Sequence, residues 1–505
     1  MSTSNYIHLD DFFRCLRGEI IRRDPFGAGN KITGLAYDSR LVMPGYLFAA
    51  VPGFKVDGHD FIPQARKAGA ILLLSERWVE NSGMIQVQVP SVRKAMAYAA
   101  QAFYSNTQNQ PLLIGVTGTN GKTTTTYLID SILRESGLAT GLVGGIEYRM
   151  GENSAAVTRT TPEAFDLHRL LKATSHTRID AVTMEVSSHG IDLYRVACLD
   201  FAVAVFTNLT HDHLDLHGSM EHYYQVKRSL FVGSLEEPGN PDVPIAPNRP
   251  MAAVNIDDHY GRRLADELED RLVTYGMSPE ADVRAGNIEY EGWKTGFNLL
   301  TPAGSAPVQL HLAGAYNLVN ALAAAAASIA AGIRPEVIAA GLSASNGAPG
   351  RFEQVAVEAP FRVIVDYAHN EDGLAKALTT ARSLSSGRLI LVFGCPGERD
   401  REKRPAMGKV AGSLADLAIL TTDDCYSEPP EQILDETESG LIESGGEYQR
   451  VSDRRQAIEA AVAAAGPGDT VLLAGKGHET RQIMADGPLR FSDTNVVREI
   501  LTSKP

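Results

Sequence analysis

Cysteine is scarce in this chain. Four in 505 residues (Cys15, Cys198, Cys395 and Cys425) stand far apart, with no C-x-x-C spacing. This argues against a disulfide framework or a thiolate zinc site and makes the cytoplasm the expected compartment. Positive charge is in deficit too: 47 Lys and Arg against 61 Asp and Glu give −14. A nucleic-acid partner held through its phosphates is therefore not expected, although a local basic pocket for a small anion is compatible with that balance. Long apolar runs are missing. The most apolar stretch, AYNLVNALAAAAASIAAG, is mostly alanine and carries Asn317 and Asn320, so it reads as a buried helix and no membrane insertion is expected. The N-terminal MSTSNYIHLDDFFRCL has no basic start followed by an apolar core, so no signal peptide is expected.

What is present is alternation. A chain this long exceeds a single core and suggests three domains. Residues 1–108 mix short strand-like runs (AILLLS, MIQVQV) with Pro-Gly turns, a small N-terminal α/β domain. The polar, proline-ended SNTQNQP reads as a linker. Over residues 109–345 the apolar runs LLIGVTG, AVTMEVSS, FAVAVFTNL and MAAVNID alternate with helical spacing, predicting a mainly parallel sheet of P-loop type. A more exposed β segment, TYGMSPEADVRAGNIEYEGWKTGFNLLT, interrupts that pattern. SASNGAPGRFE reads as the second linker. Residues 346–505 then repeat the alternation, with helices from about Asp372, Lys403 and Pro430, as in a doubly wound, Rossmann-like domain.

The chemistry starts at GVTGTNGKTTTT. The usual phosphate-loop spacing would place glycine five residues before Gly121, where Val116 stands. Gly118-Thr119-Asn120-Gly121-Lys122-Thr123-Thr124 is nevertheless a glycine turn between an apolar strand and a helix, the context in which backbone N–H groups and a helix N-terminus cradle phosphate. Lys122 can reach terminal phosphates, and Thr123 can ligate Mg²⁺. Two later strands end in Glu185-Val186-Ser187-Ser188 and in Thr207-Asn208-Leu209-Thr210-His211-Asp212-His213. Glu185 suits Mg²⁺. His213 reads equally as a polar loop residue, and the HDHLDLH run gives no convincing zinc spacing. By composition alone Lys227 is a surface lysine. Arg351 follows the hinge-like Pro349-Gly350, and Asp366 ends a strand; each could contact nucleotide or simply make a salt bridge or turn.

Taken in order, YDSRLVMPGYLFAAVPGFKVDGHDFI, GTNGKTT, TTP, MEVSSHG, TNLTHDHLD, HYYQVK, GRFE, DYAH, GERDREKRP and GKGHE resemble the Mur ligases over nearly the whole chain. The resemblance implies a monomeric, ATP-dependent amide ligase of peptidoglycan precursor synthesis. Its substrates would be ATP, UDP-N-acetylmuramoyl-L-alanyl-D-glutamate and a diamino acid, joined through an acyl phosphate. It further implies two Mg²⁺ ions at Thr123, Glu185, His213 and a carbamylated Lys227, with Lys122 catalytic beside them. Nucleotide contacts would add Asn317, Arg351 and Asp366, and the UDP-linked substrate would meet Ser39, Thr160, Thr161, Ser187 and Arg195. Leu193 stands where relatives often have glutamine. The incoming amino acid would meet Arg404, Asp423, Asp424, Tyr426, Gly475 and Glu479. Diaminopimelate-adding members commonly read DNPR where this chain has Asp423-Asp424-Cys425-Tyr426. Losing that arginine and gaining Asp424 tilts the expectation slightly towards lysine or ornithine over meso-diaminopimelate. The alternatives are another amide ligase of the superfamily (D-Ala-D-Ala-adding or folylpolyglutamate-type) and a non-catalytic nucleotide binder. The YDSR…DGHDFI and GKGHE blocks argue against the first, and the presence of Lys122, Glu185, His213 and Lys227 against the second.

Overall fold

The computed structural model describes residues 6–16, 18–26, 29–53, 56–104, 110–155, 157, 159–237, 240–244, 249–268 and 271–502. The chain is a mixed α/β protein built on several sheets. The first has five strands in the order Arg22–Arg23, Ile85–Gln88, Leu72–Ser75, Tyr46–Ala49 and Gly34–Ala36, parallel except for the first.

An eight-stranded sheet occupies the middle of the chain. Its order is Asn153–Ala155, Tyr148–Met150, Thr140–Val143, Ala181–Glu185, Leu112–Thr117, Val203–Phe206, Met251–Asn255 and Leu272–Tyr275. The six from Thr140–Val143 onward are parallel, and a hairpin closes the other edge. Its strands are apolar on both faces because both are covered. Val182, Met184, Ala204 and Phe206 enter one core, while Ala181, Val203 and Val205 enter another with Ile114 and Val116. The second core is filled by helices Lys122–Glu135 and Ala315–Ala330. The alanine-rich run is thus a buried helix, as its composition predicts, and no described helix is long and apolar enough to cross a membrane.

A six-stranded sheet follows: Glu353–Gln354, Arg362–Asp366, Thr470–Ala474, Leu389–Phe393, Leu417–Leu420 and Tyr448–Arg450, parallel after the first. Helices at Glu371–Leu384, Lys403–Leu414 and Pro430–Ser444 begin within a residue of the positions read from the sequence. Two expectations need correction. The exposed β segment divides: Leu272–Tyr275 completes the eight-stranded sheet, while Arg284–Glu291, Lys294–Thr301 and Gly304–Leu310 form a separate antiparallel sheet. The linker SASNGAPGRFE starts inside helix Pro335–Ala344, because nothing breaks that helix before Ser345. Of SNTQNQP, residues 105–109 lie outside the described residues, and Gln110 and Pro111 have no regular structure.

Candidate active site

Leu112–Thr117 lies inside the eight-stranded sheet, so the loop after it opens at the carboxyl ends of its parallel neighbours. Gly118 has φ 144°, and a Cβ there would lie 1.9 Å from Thr207 Oγ1, so only glycine fits. The TN of TNLTHDHLD braces the loop from the next strand: Thr119 N donates to the Asn208 carbonyl (2.8 Å), Asn120 N to Asn208 Oδ1 (2.9 Å), and Thr207 Oγ1 to the Asn120 carbonyl (2.6 Å). Lys122 Nζ folds back onto the carbonyls of Gly118 (3.0 Å) and Thr119 (2.8 Å). Desolvation lowers its pKa; Glu185 opposes this and Arg351 adds to it.

Thr123 Oγ1 donates to Glu185 Oε2 (3.0 Å) and accepts from Arg351 Nη2 (3.0 Å), so three sequence candidates from distant segments meet at one hydroxyl. Glu185 also accepts from Gly145 N (2.9 Å). Arg351 lies over the Tyr367 ring, 4.2 Å from its centroid. His213 is left-handed (φ 55°), its ring 5.2 Å from that of His189; burial lowers its pKa and keeps the imidazole neutral, the form that ligates a metal. Lys227 is not on the surface. It is 1% exposed, donates to the Gly118 carbonyl (3.0 Å), and is held well below the usual lysine pKa by burial first and Lys122 second. The Glu185 carboxylate, the Thr123 hydroxyl and the His213 ring line one cleft, and the first two offer the oxygen ligands Mg²⁺ prefers; the Lys227 amine lies against the Gly118 carbonyl and would suit that ion only as a carbamate.

The six-stranded sheet closes the other side. Asn120 Nδ2 donates to Asp372 Oδ2 (2.8 Å), and Asn370 Nδ2 to Asp212 Oδ2 (3.0 Å). Between the walls lies a cavity of about 320 Å³. Thr119, Asn120, Gly121, Lys122, Thr123, Thr160, Glu185, Ser187 and His213 line it from the central sheet, with Arg351 at the junction. Asp423, Asp424, Tyr426, Gly475 and Glu479 line it from the six-stranded sheet. Thr161, behind Thr160, donates to the Glu185 carbonyl (2.9 Å) and accepts from Ser187 N (3.0 Å). Arg195 is buried beside it, donating to the Thr161 carbonyl (3.2 Å) and pairing with Glu163 (3.1 Å). Ser39 belongs to a second cavity of about 450 Å³, lined also by Tyr37, Arg93, Arg159 and Glu163.

Several candidates sit elsewhere than expected. Arg404 does not line the cleft: its side chain is fully buried and bound by Glu428 (3.0 Å), just before helix Pro430–Ser444, and by Glu436 (2.6 Å) within it, which ties that helix to Lys403–Leu414. Asp424 is not free to attract a cationic substrate, because the buried Lys476 ammonium takes it at 2.7 Å. Asp366 accepts from Phe352 N (2.6 Å) and Ala368 N (2.8 Å) and so shapes the loop behind Arg351. Asn317 and Thr124 are buried and do not line the cleft; Asn317 Nδ2 donates to the Ala313 carbonyl (2.9 Å). Arg399, Lys403 and Asp212 line the cleft and were missed. The GERDREKRP motif contains the first two, but its spacing does not say which of its basic residues faces inward.

Family models match along the chain: the Mur ligase family catalytic domain at residues 31–104, the Mur ligase middle domain at 116–328, and the Mur ligase glutamate ligase domain at 350–477. A UDP-N-acetylmuramoyl-L-alanyl-D-glutamate–2,6-diaminopimelate ligase from Solibacter usitatus is 42% identical over 477 residues, 94% of both chains. One from Geobacillus thermodenitrificans is 43% identical over 474 residues, 94% of this chain and 95% of its own. A solved structure bearing the same enzyme name is 30% identical, covers 99% of both chains and superposes with a TM-score of 0.66. With such identity maintained over almost the full length, the chain belongs to the Mur ligase family.

Proposed function

We propose that this protein is an ATP-dependent amide ligase that adds meso-diaminopimelate to UDP-N-acetylmuramoyl-L-alanyl-D-glutamate. The observation that carries the reading is the single cleft in which the Lys122 loop, Glu185 and Arg351 face Asp423, Gly475 and Glu479. We read the chain as three domains: 1–108 holding the UDP moiety, a P-loop-type domain at 109–345 holding ATP, and a Rossmann-like domain at 346–505 presenting the amino acid. The cavity around Ser39 suits the uridine end, and Thr160, Ser187 and Arg195 carry the substrate towards the cleft.

The D-glutamyl γ-carboxylate attacks the γ-phosphorus of ATP, giving an acyl phosphate and ADP. The neutral amine of the acceptor then attacks the acyl carbon, loses its proton, and inorganic phosphate leaves. The protein supplies no nucleophile; it supplies position and charge. Lys122 exchanges its two backbone carbonyls for phosphate oxygens, and Arg351, stacked on Tyr367, is fixed beside Thr123. Thr123, Glu185, His213 and a carbamylated Lys227 would hold two Mg²⁺ ions, whose charge would neutralise phosphate oxygens. Burial favours that carbamylation, because only an unprotonated amine attacks CO₂.

This acceptor replaces the expectation of lysine or ornithine. Asp424 is neutralised by Lys476, Arg399 and Lys403 bring positive charge to the cleft, and the Solibacter and Geobacillus relatives are named for 2,6-diaminopimelate. The test is a competition among meso-diaminopimelate, lysine and ornithine, with ATP and the UDP-linked dipeptide supplied. Diaminopimelate should win by about 10²-fold or more in kcat/KM, as expected of a site built to bind a second charged group; preference for lysine or ornithine would overturn the acceptor.

A further inference from the structure

At the amino-acid end of the cleft, two non-glycine residues adopt the left-handed conformation: Glu398 (φ 52°) and Tyr426 (φ 51°). The loops carrying them are knitted together. Glu398 Oε1 accepts from Ser427 N (3.1 Å) and Ser427 Oγ (2.6 Å), Gly397 N donates to the Asp424 carbonyl (2.7 Å), and Tyr426 N donates to the Ile483 carbonyl (3.2 Å). Such backbone geometry persists only where its surroundings over-determine it. Its result here is that the Arg399 guanidinium lies over the Tyr426 ring, 5.3 Å from the centroid, with both side chains lining the cleft.

Arg399 differs from its neighbours. Arg401 pairs with Glu436, and Arg404 with Glu428 and Glu436. Arg399 has no carboxylate at ion-pair distance among the described residues; its hydrogen bond is to the carbonyl of adjacent Glu398 (3.1 Å). A guanidinium on an aromatic face keeps its donor edge available, and that edge matches a carboxylate in two-point geometry.

We infer that Tyr426 is a positioning residue for acceptor specificity: its ring holds Arg399 so that the guanidinium reads the distal carboxylate of the diamino acid. This rests on the acceptor reading above. It also accounts for a tyrosine at a position where an arginine would have supplied the charge directly: the charge comes from the facing loop, and the ring fixes its direction.

Steady-state kinetics on the full-length protein tests it. Tyr426→Leu should raise KM for meso-diaminopimelate about tenfold while kcat and KM for ATP stay within about twofold, the scale of losing one cation–π contact with its ordering. Tyr426→Phe, which keeps the ring, should restore most of that loss. Arg399→Gln should raise the same KM at least as far, and adding Tyr426→Leu to it should do nothing more, since the two act as one unit. An unchanged diaminopimelate KM in Tyr426→Leu, a Tyr426→Phe variant as impaired as Tyr426→Leu, or additive losses in the double variant would each overturn the inference. So would a parallel rise in KM for ATP. If Tyr426→Leu does not fold, Tyr426→Trp decides: it must keep the diaminopimelate KM that Arg399→Gln loses. Wild-type protein that uses lysine and not diaminopimelate overturns the acceptor reading and this inference with it. Wild-type diaminopimelate turnover with an indifferent Tyr426 overturns the inference alone.

Discussion

Gly121-Lys122 and Gly475-Lys476 each follow a parallel strand and stand on opposite sides of one cleft, yet their ammonium groups meet opposite surroundings. Lys122 touches two backbone carbonyls and has no carboxylate at ion-pair distance among the described residues; desolvation lowers its pKa. Lys476 is completely buried among Asp424 (2.7 Å), Glu479 (2.5 Å) and Asp423 (3.8 Å). Burial pulls its pKa down, but the three carboxylates outweigh burial and the pKa is raised. The first lysine is a cation short of an anion, as the proposed phosphate-binding role of its loop would require. The second is already satisfied, and it holds carboxylates that line the cleft.

Lys122→Ala should produce the largest effect. Ligation should fall by about three orders of magnitude or more, because phosphoryl transfer depends on positioned charge, while the melting temperature changes little. Near-normal turnover would remove the distinction between the two lysines. Next comes Lys227, buried more deeply than Lys122 and, like it, without a carboxylate at ion-pair distance among the described residues. Lys227→Ala should lose about 10²-fold or more in rate, the scale of losing a group that stabilises transition-state charge. Short carboxylic acids should restore part of it, and removing CO₂ and bicarbonate should slow the wild-type enzyme. Indifference to both treatments would return Lys227 to a structural role.

Lys476→Met should act first on stability. It strands three carboxylates in and around a buried site, a change that costs about 3–5 kcal/mol where a buried pair is broken, read by chemical denaturation. The pH dependence has a definite sign. Because the folded-state pKa of Lys476 is raised above 10.5, its contribution is fully present below pH 10.5 and is lost as pH rises through the folded value. The wild type should therefore lose stability on the alkaline side more steeply than Lys476→Met. Equal alkaline slopes would mean that the three carboxylates do not hold this ammonium charged.

Much of the site was legible because motif residues stand at strand ends, where parallel sheets present their chemistry. Glu185, His213 and the Lys122 loop were found in that way, and the structure brings all three to one cleft. Arg404 was misplaced for a physical reason: a single-residue step in helix Lys403–Leu414, a rotation of about 100°, puts Lys403 on the cleft and Arg404 against helix Pro430–Ser444, and the local spacing is compatible with either facing inward. Asp424 was misread because its partner lies 52 residues away. Lys227 looked exposed by composition, although its helix buries Tyr223, Tyr224, Val226 and Leu230 on neighbouring positions.

The sequence by itself determined the alternation of strands and helices, the glycine turn at the phosphate loop and the order of the family's motifs. Those features are local: apolar runs, glycine at φ 144°, helical spacing. Only the tertiary structure decided which of Lys122, Lys227 and Lys476 is ringed by carboxylates and which arginine of GERDREKRP lines the cleft. It also decided that the cleft carboxylates Asp423, Asp424 and Glu479 are already countered by Lys476. Charge and proton affinity depend on every group within a few ångströms, and those groups come from segments that the chain order keeps far apart.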